Sequence, residues 1–321
     1  MPISNYIRSW LMLTPMFPSI LIILFNLYHF IGNQTLRRAL NNHVIILLLI
    51  CSFIEQVTDV AWQSHYYRTG TALISTPIFC GIWTFSGGAF YSMIYILMAW
   101  ASFERHILIF HPSWFATKTK RLFFHYFPLS GCIIWPLIFY SLSAFILPCD
   151  VAIRYDNIFC DRYICSSDPY WPGLIDSFGH YIGTAFMTII FNIALFGRVL
   201  YSRYKVHRSV DWRKHKKIAF QLLPLSMLYL FLQLPPMTLY AAYSAGATYV
   251  TANDFYDDSL FFTYWIVQFM PLACAISLPG LKEKCKNCLL FWRRDHRINP
   301  QAVMWTNGQF TQSARIALEA Q

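Results

Sequence analysis

A chain of 321 residues that is 56% apolar and only 12% charged, with a mean hydropathy of +0.41, carries about half the charge of an average soluble domain. Disorder is excluded, because it needs low hydrophobicity, and 13 Gly and 16 Pro exclude collagen-like or repeat sequence. The composition leaves a polytopic membrane protein, and its net charge of +10 raises the question of where the basic residues lie.

Seven apolar runs are long enough for the roughly 20 residues of a spanning helix. In chain order they cover residues 10–31, 44–63, 78–103, 122–147, 174–197, 218–243 and 259–278. The second contains Glu55 and Asp59, the third is free of charge, and the fifth carries Asp176 at its outer end. Pro15, Pro18, Pro128, Pro136, Pro224, Pro235, Pro236 and Pro271 fall inside these runs. In lipid, neighbouring helices satisfy the carbonyls that proline frees. The runs are solidly apolar instead of alternating, so they read as helices and not barrel strands. The expected fold is an all-α membrane protein, a seven-transmembrane helix bundle.

Basic residues concentrate on the cytoplasmic side of membrane proteins. With the amino terminus outside, only Arg8, Arg68, Arg154 and Arg162 of the 25 Lys and Arg fall outside, and 21 lie inside or at inner helix ends. The chain then divides into an extracellular segment 1–9, the bundle 10–280, a short amphipathic eighth helix 281–293 on the membrane surface, and a cytoplasmic tail 294–321. The first run lacks a signal-peptide cleavage pattern and reads as a retained helix. The basic balance is a topology and lipid signal, not a nucleic-acid footprint. Lys282, Lys284 and Lys286 of the eighth helix suit anionic lipid, and Cys285 and Cys288 are candidates for palmitoylation.

Topology also sorts the nine cysteines. Cys80, Cys149, Cys160 and Cys165 face an oxidising space, where disulfides persist. A bridge from Cys80 to the second outer loop would tether that loop over the mouth of the bundle. Cys165 is the favoured partner, with Cys149–Cys160 closing a small loop; Cys80–Cys160 is the alternative.

At the inner end of the third run stands Ser102-Phe103-Glu104-Arg105-His106. This resembles the Glu/Asp-Arg-Tyr signature of rhodopsin-like (class A) G protein-coupled receptors, with His106 in place of Tyr. The separation of 25 residues from Cys80 to Arg105 matches the family's spacing between its bridging Cys and signature Arg. Over a helix it corresponds to roughly 38 Å, enough to cross a bilayer. The resemblance covers residues 10–293. It implies that Arg105 pairs with Glu104 at rest and is freed to meet a heterotrimeric G protein. Tyr229, Pro235 and Pro271 fall at positions that matter for activation in the family, and Trp135 resembles its fourth-helix Trp. The sixth-helix switch Trp is replaced by Gln233. The seventh helix reads Met270-Pro271-Leu272-Ala273-Cys274, without the family's Asn and Tyr. Ser52 takes the place of the sodium-binding Asp. No acid precedes the sixth helix to pair with Arg105, which implies measurable signalling without ligand.

An intramembrane acid is by default a functional candidate, so Glu55 and Asp59 are expected to face a ligand. Trp83, Phe85, Gly87, Tyr91, Gln233, Tyr264, Trp265 and Gln268 complete the expected pocket, an aromatic cup with few polar handles. Gly87 stands where amine receptors carry a ligand-pairing Asp, and Tyr264 where opsins carry the retinal Lys. The glycines Gly87 and Gly88 leave room for a bulky ligand group, and acidic outer loops suit a basic peptide. The expectation is a cell-membrane receptor that passes an extracellular signal to a G protein. The alternative is a seven-helix transporter or channel using Glu55 and Asp59, against which stand spans nearly free of charge. No metal-spaced His/Asp/Glu cluster and no Gly-x-Ser-x-Gly occurs, so no metal, no cofactor and no enzymatic activity are expected.

Overall fold

The computed structural model describes residues 3–147, 152–161, 170–205, 229–244, 246, 253–276, 278 and 281. The main helices are α1 (Asn5–Gly32), α2 (Leu40–Thr69), α3 (Pro77–Phe110), α4 (Lys118–Ile146) and α5 (Pro172–Arg198). They are followed by α6 (Tyr229–Gln233 continuing through Leu234–Ser244) and α7 (Asp254–Ile276). All except α6 are long and apolar enough to cross a membrane, and no strand occurs among the described residues. This is the architecture of an all-helical, multi-pass membrane protein. The first half of the sixth expected span, the basic segment 206–217, the eighth helix with Cys285 and Cys288, and the tail lie outside the described residues.

The helices fit to cross a membrane begin ahead of the apolar stretches that announced them. Hydropathy registers the part suited to lipid, whereas capping decides where a helix stops. The Thr76 side chain accepts from the Phe79 amide at 3.3 Å, with Pro77 in the first turn of α3. Gly70, at φ +75°, closes α2 in the left-handed conformation. α1 begins at Asn5 and so takes in most of the expected amino-terminal segment.

The interior is apolar but unusually rich in polar groups, while large apolar side chains face outward. Phe17, Leu21, Tyr28, Phe123, Phe127 and Ile146 are exposed, while Asn26, Ser52, Gln56, Ser92, His125, Thr188 and Gln233 are buried. In lipid, helix contacts rely on close packing and interhelical hydrogen bonds. α3 is central, packing on α2, α4 and α5, while α1 packs on α2 and α7.

Pro271 shows how such bonds are enforced. It has no N–H to donate to the Val267 carbonyl one turn back. Ser52 Oγ and Gln56 Nε2 of α2 donate to that carbonyl instead, at 3.1 and 3.4 Å. Gln56 also donates to Ser19 Oγ at 2.8 Å, and Asn26 Nδ2 of α1 to the Pro271 carbonyl at 2.8 Å. The broken helix is thereby stitched to both neighbours.

Candidate functional site

Two ends of α3 carry the residues of interest. At the first, Cys80 is bonded to Cys160 with an S–S distance of 2.06 Å. The favoured pairing with Cys165 is thus replaced by the alternative; Cys165 and Cys149 lie outside the described residues. The local reason is a tight turn. Phe159, Cys160 and Asp161 are all left-handed, at φ 52°, 54° and 63°. The Cys160 amide donates to the Asn157 carbonyl at 3.0 Å, and Asn157 Nδ2 to Asp161 Oδ2 at 2.7 Å. The turn is fastened to α2 and the start of α3, because Tyr66 donates to the Asp156 carbonyl and the Ala72 amide to the Tyr155 carbonyl, at 3.0 and 2.8 Å. Ordering three left-handed residues costs on the order of 1 kcal/mol each, and these tethers offset it.

Beneath the turn lies the acid pair. Glu55 and Asp59 are fully buried on one face of α2, where the helix widens to a π turn over Gln56–Val60. Trp83 Nε1 donates to Asp59 Oδ1 at 2.7 Å, and the Tyr264 hydroxyl also reaches this carboxyl. Asp59 Oδ2 and both Glu55 oxygens are buried without a conventional hydrogen-bond partner, and the two carboxyls face one another. Tyr264 and Tyr91 lie with ring centroids 5.5 Å apart. Tyr95 donates to Tyr91 at 2.9 Å and to Gln233 Oε1 at 2.6 Å, carrying the polar line to α6. Glu55, Asp59, Trp83, Gly87, Tyr91, Tyr264 and Gln233 are thus brought together in one connected cluster.

Three expectations fail here. Gln268 faces α1, donating to the Met12 carbonyl at 2.9 Å. Phe85 turns to α4, 6.0 Å from Phe145, and Trp265 packs on Phe262 at 5.0 Å. The space left by the glycines is filled by the chain's own rings: a Cβ on Gly88 would collide with Tyr140, and one on Gly87 would lie 2.8 Å from Phe159 Cε1 and 3.0 Å from Asp59 Cγ.

A second buried network, not anticipated, joins α3, α4 and α5. Trp135 Nε1 donates to His180 Nε2 at 2.8 Å, so the His180 proton sits on Nδ1, which faces Asp176 Oδ1 at 2.9 Å. The Tyr140 hydroxyl also bonds Asp176, and Ser92 meets Tyr140 and Tyr181 at 2.7 and 2.9 Å. The one available signal was Asp176 and His180 spaced i, i+4 inside an apolar run.

At the other end of α3, Glu104 is buried and bonded to His125 of α4, not to Arg105. His125 Nε2 meets His43 Nδ1 at 2.9 Å, and His43 Nε2 lies 2.9 Å from the Arg37 carbonyl. A carbonyl only accepts, so His43 carries its proton on Nε2 and takes one from His125 Nε2. His125 Nδ1 and Glu104 then share a proton as a buried charge-assisted pair. The expected Glu104–Arg105 pair is corrected by helix geometry: adjacent residues point about 100° apart. Arg105 lies within electrostatic reach of Cys274 of α7 as well as of Glu104. One of its terminal nitrogens is buried without a partner, and no carboxylate lies within ion-pair distance among the described residues.

No protein-family model matches the chain, and no curated protein does either. Function therefore rests on the site itself. His106 packs near Phe110 and Phe191, at 5.1 and 6.2 Å. Tyr229 is buried against Tyr95 at 4.9 Å, just before Pro235 in α6. His43 and His125 were missed, although a His inside an apolar run is itself a cue.

Proposed function

We propose that the protein is a receptor of the rhodopsin-like kind, in the cell membrane with its amino terminus outside, which passes an extracellular signal to a heterotrimeric G protein. The observation that carries this reading is Arg105. It stands 25 residues along α3 from the disulfide-tethered Cys80, with no carboxylate at ion-pair distance among the described residues. Its buried Nη1 has no acceptor, an unsatisfied buried donor is costly, and the cost falls when a cytoplasmic partner supplies acceptors. Signal-dependent opening of that end is then a two-state equilibrium biased by ligand at the other. The acid pair beside Trp83 and Tyr264 is the ligand end in this reading. The basic residues between α5 and α6 serve the G protein and the inner leaflet.

The transporter alternative draws on Glu55 and Asp59, yet both acids are fully buried among Trp83, Phe159 and Tyr264. Arg105→Ala separates the readings. Coupling is expected to disappear while surface expression is kept; a transporter would keep its flux, and unchanged coupling would refute the receptor.

A further inference from the structure

The acid pair is incomplete as it stands. Two carboxyls are fully buried side by side, yet none of the ion pairs among the described residues reaches either of them. Arg8, the cation of α1, is engaged with Asp258 of α7 and lies over the rings of Tyr67 and Phe261. Burying unpaired carboxylates is expensive, and a pair that only stabilised the bundle would be expected to satisfy its oxygens. Here three of the four oxygens have no conventional partner, the carboxyls meeting only each other and the Tyr264 hydroxyl besides Trp83. Asp59 is nevertheless held in place, its Oδ1 fixed by Trp83.

The walls specify the kind of cation. Trp83, Tyr91, Tyr264 and Phe159 place aromatic rings around the pair, and aromatic rings attract organic cations. A hydrated divalent ion needs six or more oxygen ligands, and such a shell is absent among the described residues, which also hold no metal-binding His/Cys/Asp/Glu group. Phe159 already occupies the approach. Its ring lies 5.2 Å from that of Trp83 and abuts Gly87, beside the Asp59 carboxyl. It belongs to the loop turn next to the Cys80–Cys160 bond and fills the space a ligand ring of like size would take.

We propose that Glu55 and Asp59 receive the cationic end of an aromatic organic cation, whose ring takes the place of Phe159 against Trp83 and Gly87. This rests on the receptor reading for its consequence but not for its test. The cation is a free amine or a basic peptide group, and two probes distinguish them.

Full-length protein in lipid nanodiscs, without G protein, is titrated with 2-phenylethylammonium and with phenylalanyl-arginine amide. 2-Phenylethanol and amino-capped phenylalanyl-alanine amide serve as neutral controls. Binding is read from tryptophan fluorescence and melting temperature. At least one cation should bind about tenfold or more tightly than its control, roughly the worth of one ion pair at this scale; whichever binds assigns the source. Glu55→Gln and Asp59→Asn should each weaken it about tenfold, and Phe159→Ala should strengthen it. Equal binding of cation and control, or no binding even to Phe159→Ala, overturns the proposal and leaves a structural carboxyl pair. If the acid variants fail to fold, Phe159→Ala decides: unchanged affinity overturns it. Arg105→Ala should retain probe binding, so binding without coupling sinks only the receptor reading, and coupling without probe binding sinks only this one.

Discussion

His125 gives Glu104 its only hydrogen-bonding side chain among the described residues, so the two should be tightly coupled. Removing one partner of a buried pair typically costs about 3–5 kcal/mol, because the other is stranded. His125→Ala should therefore lower the melting temperature markedly, and Glu104→Gln in the same background should recover part of the loss. Additive effects in a double-mutant cycle would contradict the pairing. Gly88 makes a similar point through volume. A methyl there meets the Tyr140 ring, so Gly88→Ala should destabilise by about 1–3 kcal/mol, as overpacking does. An unchanged denaturation midpoint would show that Tyr140 lies elsewhere. The sequence revealed Glu104 and Gly88 as residues to watch, but not their partners, because both partners come from α4 and no spacing along α3 encodes them.

For the helices, apolar run length was the legible property. Six of the seven expected runs appear as helices fit to cross a membrane, each beginning ahead of the run that signalled it. Proline positions were legible too, but not how each is repaired. At Pro271 the repair comes from Ser52 and Gln56, and it yields a signed prediction. Replacing both with Ala strands the Val267 carbonyl, at about 1–3 kcal/mol for an unsatisfied buried group. Adding Pro271→Ala supplies the missing N–H, so the triple variant should melt above the double. A triple variant no more stable than the double would show that α7 does not depend on α2 for this bond. The loop turn was the least legible element. Four cysteines facing one compartment allow three pairings, and the choice of Cys160 follows from left-handed backbone at residues 159–161 that composition does not announce.

Across the whole molecule, the account joins a disulfide-tethered, acid-bearing end to an arginine-bearing end through α3. The tyrosine line from Asp59 to Gln233 ties α2, α3, α6 and α7 together at the acid-bearing end through hydrogen bonds and the Tyr91–Tyr264 ring contact. Membrane residence and helical class were readable from hydropathy because lipid imposes them on every span. The placement of Glu104 was not, because the identity of its neighbour depends on how α3 and α4 are rotated against each other. With Glu104 committed to His125, Arg105 has no acid to hold it among the described residues, and the resting state should signal weakly without ligand. The most direct measurement is guanine-nucleotide exchange by purified heterotrimeric G proteins, drawn from each Gα class, with the protein in nanodiscs and no ligand present. The account predicts exchange above the heterotrimer's own rate for at least one class, lost in Arg105→Ala; exchange indistinguishable from heterotrimer alone across all classes, or unaffected by Arg105→Ala, would contradict it.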